Sequence, residues 1–299
     1  MLDFLDISSA KNKGLSILVV ITAYNVERFL PKLLDSLAGQ TESDWRVVFV
    51  DDASTDSTFT RLSELLEQYQ VSNRFTLIRN NERQYKARNI YNVLRRFGGI
   101  NDIVVLHDGD DWLCDAHSLE RLRLEHEKGW EVVWSDWRGS DGTSGNSYHL
   151  NPWLPPRVQP WVSSHLFSFR KSLFDAVEAI DLQNITGEWV REACDRAIAW
   201  PLLEQTIRRK HIREVLYIYN RHNPLNNDKL GHRWRNNSSL AQASSAARLR
   251  WRSTKPVDFD VRFVISHTGE FVRATFLNLL LVRRYWWVLI DAWHFRGQE

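Results

Sequence analysis

Regular alternation of strand-like and helix-like segments over the first 137 residues constrains the fold more than any other feature of this sequence. Residues 16–22 form a continuous apolar run, which is typical of a strand buried on both faces. Further strands are predicted over residues 45–51, 75–79, 103–107 and 130–134, and helices over residues 25–39, 54–69, 85–97 and 116–128. This order predicts an α/β protein whose mostly parallel sheet is flanked by helices.

Polar residues follow the predicted strands at the points where the strands end. In a sheet of this kind, ligands bind beyond the carboxyl ends of the strands. We therefore expect the chemistry at residues 22–25, 51–52, 80–81 and 108–111. After residue 137 the alternation stops: residues 138–160 predict a long loop, and a helix is predicted over residues 188–209.

Three aspartates occur within four residues directly after the fourth predicted strand, at Asp108, Asp110 and Asp111. Such carboxylates repel one another unless a cation offsets their charge, and glycine at 109 lets a ligand approach closely. A turn with a helix cap is the alternative interpretation. The sequence has neither a G-x-G-x-x-G nor a P-loop motif, so a bound diphosphate would need another counter-charge. A divalent cation on Asp108 and Asp110, helped by Lys86 and Arg88, would supply it.

Four motifs together resemble family 2 glycosyltransferases of the GT-A fold, and the resemblance covers residues 14–222. The motifs are Thr22-Ala-Tyr-Asn25, Val50-Asp-Asp-Ala-Ser-Thr-Asp56, Ala87-Arg-Asn89 and Asp108-Gly-Asp110-Asp111. The resemblance implies a Rossmann-like GT-A sheet and transfer of a sugar from a nucleotide-sugar to an acceptor hydroxyl with inversion. By family habit the donor is a UDP-sugar, the sugar a hexose or an N-acetylhexosamine, and the cofactor Mn²⁺ or Mg²⁺.

The resemblance also implies roles for single residues at the donor site. The implied donor-binding residues are Ala23, Tyr24, Glu27, Asp52, Lys86, Arg88, Asp108, Gly109 and Asp110. The first three would line the base pocket, although the family usually has proline where Ala23 stands. Asp52 would bind the uracil or ribose, and Asp108 the ribose. Asp110 would ligate the metal, with Asp108 and His222 as further candidate ligands, whereas Asp111 has a structural role as its alternative.

A carboxylate has to deprotonate the acceptor hydroxyl. The family's usual Glu-Asp pair is absent, and the nearest counterpart is the segment 187–197. Asp195 is the preferred base, with Glu188 second and Glu192 third, because residues seven apart on one helix share a face. The alternative is that Asp195 pairs with Arg191 or Arg196 on a solvated helix surface.

Trp134, Asp136 and Trp137 are predicted beside the acceptor cleft, where an indole could stack on a sugar, with core packing as the alternative for Trp134. The acceptor implied is a glycan or glycolipid. A nucleic-acid base is an open alternative, as is a non-catalytic nucleotide- or glycan-binding module of the same fold. A nucleotidyltransferase is disfavoured, since its glycine-rich, lysine-containing loop is missing after the first strand.

We expect a catalytic domain over residues 1–225 and a basic, aromatic, helical extension over 226–299, which holds twelve Lys and Arg against six Asp and Glu. Within it, residues 271–295 are too interrupted by charges to span a bilayer and either fold back on the domain or lie on a membrane surface. The N-terminus lacks the features of a signal peptide, and Cys114 and Cys194 are expected to be reduced thiols. A cytoplasmic protein is therefore expected, with membrane association and oligomeric state left open.

Overall fold

The computed structural model describes residues 14–184 and 186–226 of the chain. The strands are β1 (Ser16–Ala23), β2 (Trp45–Asp51), β3 (Phe75–Arg79), β4 (Asp102–Asp108), β5 (Trp112–Leu113), β6 (Val132–Gly139), β7 (Phe167–Arg170) and β8 (Arg209–Tyr219). The helices are α1 (Leu30–Ala38), α2 (Thr58–Gln68), α3 (Tyr85–Arg96), α4 (Ser118–Glu127), α5 (Lys171–Phe174) and α6 (Cys194–Leu203). The predicted extension after residue 226 lies outside the described residues.

All eight strands form one sheet in the order β3-β2-β1-β4-β7-β6-β8-β5. The pairs among β1 to β4 are parallel, as the alternation predicts, because each strand returns through a helix. On the other side of β4 the sheet is mixed: β7 is antiparallel to both β4 and β6, whereas β6 and β8 are parallel. The predicted α/β class with a mostly parallel, helix-flanked sheet is confirmed.

The core occupies both faces of the sheet. In β1, Ile17, Val19 and Ile21 belong to one buried cluster, and Leu18 and Val20 belong to the other. Leucines of α1, α2 and α4 fill the first cluster, whereas α3 and α6 pack into the second. A strand that is apolar at every position fits only such a doubly covered sheet, which explains the continuous apolar run in the sequence.

Two predicted helices are wrong at their ends. The helix predicted over 188–209 is shorter: α6 begins at Cys194, and Arg209 already lies in β8. The helix predicted to begin at Asn25 begins at Leu30, after a single 3-10 turn. Asn25 has a left-handed φ of 54°, and its side-chain oxygen accepts a hydrogen bond from the N–H of Thr55 at 2.8 Å. It therefore joins two loops instead of capping α1.

Backbone hydrogen bonds hold together the loops that follow the parallel strands. The N–H of Asp52 donates to the carbonyl of Ala23 at 2.8 Å, and that of Gly109 donates to Thr22 at 3.1 Å. Non-glycine residues with left-handed φ flank these loops and the start of α6, at Asn25, Ala53, Tyr85 and Ala193. Such backbone costs free energy and is concentrated at functional sites, so this edge of the sheet is where a site is expected.

Both cysteines are free thiols, Cys114 exposed and Cys194 buried, as the sequence predicts. Among the described residues, no helix has the length and apolar character that crossing a membrane requires.

Candidate functional site

The acidic loop after β4 places its aspartates in different surroundings. Asp111 is fully buried, and its carboxylate accepts hydrogen bonds from the Tyr217 hydroxyl and the Asn220 N–H, both at 2.7 Å. Burial, together with the charges of Asp110 and Asp108, raises the pKa of Asp111 well above its usual range. Asp111 ties the loop to the end of β8, which is the structural alternative that the sequence offers for it.

Lys86, in the first turn of α3, joins the acidic loop to α6. Its Nζ lies 2.6 Å from Oδ1 of Asp108 and 2.7 Å from Oδ1 of Asp195. Burial favours the neutral amine, but the charges of Asp108 and Asp195 outweigh it and raise the pKa of Lys86 well above its usual value. One ammonium group thus holds together two carboxylates that lie 87 positions apart in the sequence.

Asp195 lies in the first turn of α6, directly after Cys194. Burial opposes its ionisation, yet the charge of Lys86 prevails and keeps the pKa of Asp195 below its usual value. Its partner is Lys86, and the alternative pairing with Arg191 or Arg196 on a solvated face is not the arrangement found. The residue predicted as base therefore lies against the acidic loop.

The shared helix face predicted for Asp195 and Glu188 is wrong, because Glu188 precedes α6. Glu188 lies in an exposed turn, where its carboxylate accepts hydrogen bonds from Asn184 Nδ2 at 3.0 Å and Thr186 Oγ1 at 3.2 Å. Glu192 also precedes the helix. The local sequence explains this difference. The side-chain oxygen of Asn184 accepts hydrogen bonds from the N–H groups of Thr186 and Glu188, and this arrangement favours a turn over a helix.

Asp110 is a half-buried carboxylate beside Asp108. Burial and the neighbouring charge of Asp108 raise its pKa above the usual value, and its only described side-chain donor is Asn223 Nδ2, at 2.6 Å. His222, one residue before Asn223, is exposed; within the described residues no group of three or more His, Cys, Asp or Glu side chains could hold a metal ion. Two carboxylates that repel each other nevertheless suit Mg²⁺ or Mn²⁺ when a ligand's phosphates complete the coordination.

Gly109 is required by the packing of the loop against β1. A Cβ atom at this position would lie 2.6 Å from Cβ of Ala23 and 3.2 Å from its Cα. Its φ is not left-handed, so the constraint is steric. The sequence suggested that glycine admits a ligand here, whereas the structure shows that it admits Ala23, the residue that stands in place of the family's proline.

The carboxylate of Asp52 is buried, and its hydrogen-bond donors all come from the protein. It is 4% exposed, and its two oxygens accept hydrogen bonds from Asn80 Nδ2, Arg83 Nε, and the N–H groups of Gln84 and Tyr85, at 2.7–3.0 Å. Burial opposes ionisation, but Asn89, together with Gln84, Asn80 and Arg83, holds the pKa of Asp52 below its usual value. In this structure Asp52 organises the loop between β3 and α3, and its predicted contact with a nucleotide would require some of these bonds to be exchanged.

Arg83, which the sequence did not single out, covers Tyr24, one of the residues predicted to line the base pocket. Its guanidinium carbon lies 3.5 Å from the ring centroid of Tyr24 and 5.0 Å from that of Tyr85. The other cation on Tyr85 is Arg191, at 4.7 Å. Cation–π contacts of this kind are attractive. They link the end of β1, the loop before α3 and the segment that leads into Asp195.

Glu27 and Arg88 are two further predicted donor residues. Glu27 accepts a hydrogen bond from the N–H of Ser57 at 3.1 Å, so it contacts the start of α2. Arg88 is exposed on α3, two positions after Lys86, and a two-residue step turns the helix by about 200°. The two cations therefore point in different directions, and only Lys86 contacts the acidic loop.

Of the three predicted acceptor residues, one is in the core and two are partly buried. Trp134 is 1% exposed and donates from Nε1 to the carbonyl of Tyr148 at 3.0 Å, so the core alternative is the one found. Asp136 lies 2.7 Å from Nε2 of His211, and burial raises the pKa of Asp136 to about 6. Trp137 is partly buried and meets the ring of His165 edge-on at 5.7 Å.

Several described residues near this site were missed by sequence reasoning, among them His165, Arg83 and Asn223. The loop before α3 does contain a run of polar and basic residues that could have drawn attention to Arg83. A lone histidine ahead of a strand has no comparable signal, because its neighbours in space come from β6 and β8.

Comparison with known proteins is consistent with this geometry. The family model described as Glycosyl transferase family 2 matches residues 18–183, more than half of the chain. EpsE of Bacillus subtilis (strain 168) is 32% identical over 124 residues, which cover 41% of this chain and 43% of EpsE. The teichoic acid poly(glycerol phosphate) polymerase of Staphylococcus epidermidis is 31% identical over 72 residues, 24% of this chain and 10% of that protein. The chain thus spans less than half the length of these curated relatives.

Similar solved structures share the fold. S. aureus TarS 1-349 in complex with UDP-GlcNAc superimposes with a TM-score of 0.56 at 17% identity, covering 87% of this chain and 79% of that one. The mannosyltransferase PcManGT from Pyrobaculum calidifontis, in complex with GDP-Man and Mn²⁺, gives a TM-score of 0.50 at 16% identity, covering 90% and 75%. Identities this low show a common architecture and nothing finer.

Proposed function

The chain belongs to glycosyl transferase family 2, and from that membership we propose that it transfers a hexose or N-acetylhexosamine from a UDP-sugar to an acceptor hydroxyl with inversion. The acceptor proposed is a glycan or glycolipid. Support for a nucleotide-sugar donor comes from the fold it shares with TarS, which was solved with UDP-GlcNAc, and with PcManGT, which was solved with GDP-Man and Mn²⁺.

One observation carries the proposal: Lys86 contacts both Asp108 and Asp195, at 2.6 and 2.7 Å. The carboxylate proposed as base is thereby held against the loop proposed to bind the diphosphate. Displacement at a sugar carbon requires the nucleophile's base on one side of that carbon and the leaving group on the other. A single ammonium group in contact with both carboxylates keeps them side by side, which supports one shared site for the base and the diphosphate.

Asp108 and Asp110 are the residues that would hold a divalent cation. When bound, the cation would supply positive charge to the diphosphate leaving group. The raised pKa of Asp110, caused by burial and by Asp108, supports this assignment, because the same repulsion favours a cation in place of a proton. His222 remains a candidate ligand on the turn that contains Asn223.

In the reaction, Asp195 accepts the proton of the acceptor hydroxyl while that oxygen attacks the anomeric carbon. The bond from this carbon to the diphosphate oxygen breaks, and its electron pair leaves with the nucleotide. Lys86 lowers the pKa of Asp195, so the carboxylate is a weak base while this ion pair is intact. A diphosphate beside Lys86 would compete for its charge and make Asp195 more basic when the donor is present.

The test is nucleotide release from a panel of UDP- and GDP-sugars with Mn²⁺ and without acceptor. We expect release from one donor, loss of release in Asp110→Ala, and loss of about 10²–10⁴-fold in kcat for Asp195→Asn with nucleotide affinity retained. Asp35→Asn, an exposed carboxylate on α1, is the matched control. Nucleotide binding without turnover of any donor would favour the non-catalytic binding module, and no binding at all would refute the proposal.

A further inference from the structure

His165 lies beside the proposed active site and has no role in the reaction proposed above. Its imidazole stacks on Tyr217 with ring centroids 4.9 Å apart and an interplanar angle of 7°, and on Tyr219 at 5.6 Å and 18°. Trp137 packs edge-on against the same ring at 5.7 Å. Three aromatic neighbours from β6 and β8 therefore fix the plane of the imidazole.

Tyr217, on which His165 stacks, is hydrogen-bonded to the acidic loop. The hydroxyl of Tyr217 donates to Oδ2 of Asp111 at 2.7 Å and accepts from the N–H of Asp108 at 3.2 Å. The imidazole is thus one stacked ring away from the residues proposed to bind the donor. Burial lowers the pKa of His165, while the charges of Asp195 and Asp108 act in the opposite direction.

The nitrogens of His165 differ from those of the structural histidines. His126 is buried, with Nδ1 2.9 Å from the carbonyl of Trp130 and Nε2 3.0 Å from Oγ of Ser168. Neither nitrogen of His165 has a hydrogen-bond partner in the described part of the chain, and neither is sealed from solvent. A neutral imidazole offers one donor and one acceptor. Here both are held rigidly and both are available to a bound molecule.

We propose that His165 binds the acceptor: its imidazole hydrogen-bonds the acceptor hydroxyl and orients it toward Asp195. This inference rests on the proposed function. The proton of the hydroxyl passes to the Asp195 carboxylate, its oxygen forms the new bond to the anomeric carbon, and the diphosphate leaves with the electron pair of the broken bond. His165 exchanges no proton and keeps the attacking oxygen in line. Water held in the same place is the nucleophile of donor hydrolysis.

His165→Phe tests the proposal, because phenylalanine keeps an aromatic ring against Tyr217 and Tyr219 but lacks the nitrogens. His165→Gln restores a donor and an acceptor. His117→Phe, at an exposed histidine just before α4, is the control. For each variant we would measure hydrolysis of the donor with Mn²⁺, the Kd of UDP by calorimetry, and Tm. The probe in every case is the nucleotide or the UDP-sugar itself.

The expected result for His165→Phe is a fall in kcat on the order of 10- to 100-fold, the usual cost of a misplaced nucleophile, with the UDP Kd unchanged. His165→Gln should recover part of the loss. Wild-type rates in His165→Phe would overturn the proposal. A parallel loss of UDP affinity and Tm in both variants would also overturn it, by showing a structural role. A wild-type protein that binds UDP but hydrolyses no donor refutes the proposed function, and the assignment of His165 falls with it.

Discussion

Gly109→Ala should disturb the acidic loop through a single contact. The new Cβ would lie 2.6 Å from Cβ of Ala23, the next contacts being Cα of Ala23 at 3.2 Å and the carbonyl oxygen of Thr22 at 3.4 Å. Carbon atoms pack at about 3.5–4.0 Å, so the first contact is about 1 Å too short. Because β1 is buried on both faces, we expect the loop that holds Asp108 and Asp110 to move and the strand to stay.

The size of the effect follows from that displacement. Overpacking of a well-packed contact costs about 1–3 kcal/mol. For a domain of this size, 2 kcal/mol corresponds to a fall in Tm of about 4–8 °C. A shift of about 1 Å in groups that position a substrate lowers the rate on the order of 100-fold. Activity should therefore fall far more than stability does.

Thermal unfolding and donor hydrolysis of four proteins test this reasoning. Gly14→Ala is the control, because a Cβ at Gly14 has no atom within 4 Å. The double variant Ala23→Gly, Gly109→Ala has a methyl group at position 109 and none at position 23. The new Cβ then keeps only its contacts with Cα of residue 23 at 3.2 Å and the carbonyl oxygen of Thr22 at 3.4 Å. We expect it to regain most of the lost Tm and activity. Wild-type behaviour of Gly109→Ala, or a double variant that is worse than the single one, would refute the steric explanation.

Three further variants test the electrostatics. In Lys86→Met, the largest charge that opposes the effect of burial on Asp195 is removed, so the pKa of Asp195 rises and the acidic limb of the pH–rate profile should move to higher pH; an unmoved limb would contradict the ion pair. Asp110→Asn should raise the Tm of the protein without added metal at neutral pH, because the raised pKa of Asp110 means that its ionised form destabilises the fold. The same variant should lose the stabilisation by Mn²⁺ with UDP in differential scanning fluorimetry. Burial lowers the pKa of His126 to about 3 in the folded state. The free energy of unfolding is therefore fully retained above pH 6.5 and decreases as the pH falls from 6.5 toward about 3. His126→Gln should flatten this loss in urea unfolding at pH 7 and pH 4, and an unchanged slope would assign it to other groups.

The sequence predicts most of the fold because its pattern is local. A run such as 16–22, apolar at every position, has few stable settings other than a strand covered on both faces. The helix predicted over 188–209 fails for an equally local reason: Asn184 forms a turn with Thr186 and Glu188 that competes with helix formation. The mixed half of the sheet was beyond prediction, since the pairing of β4 with β7 joins segments separated by a long loop.

The sequence predicts which chain segments form the site, but only some of the contacts between them. Asp108, Lys86 and Asp195 were all singled out, but that a lysine would bridge two carboxylates follows from the way α3 and α6 pack on one face of the sheet. Asp52 was singled out for a ligand and is saturated by its own neighbouring loop. His165 has its neighbours in β6 and β8, which no spacing in the sequence reveals.

The most direct test of the central claim is a calorimetric titration of UDP into the protein with Mn²⁺ and with EDTA. Asp108 and Asp110 are proposed to bind the diphosphate through a divalent cation. We therefore predict tight binding with Mn²⁺, binding weakened at least about tenfold in EDTA, and no effect of Mn²⁺ in Asp110→Ala. Equal affinity with and without the metal, or a metal effect that survives in Asp110→Ala, would contradict it.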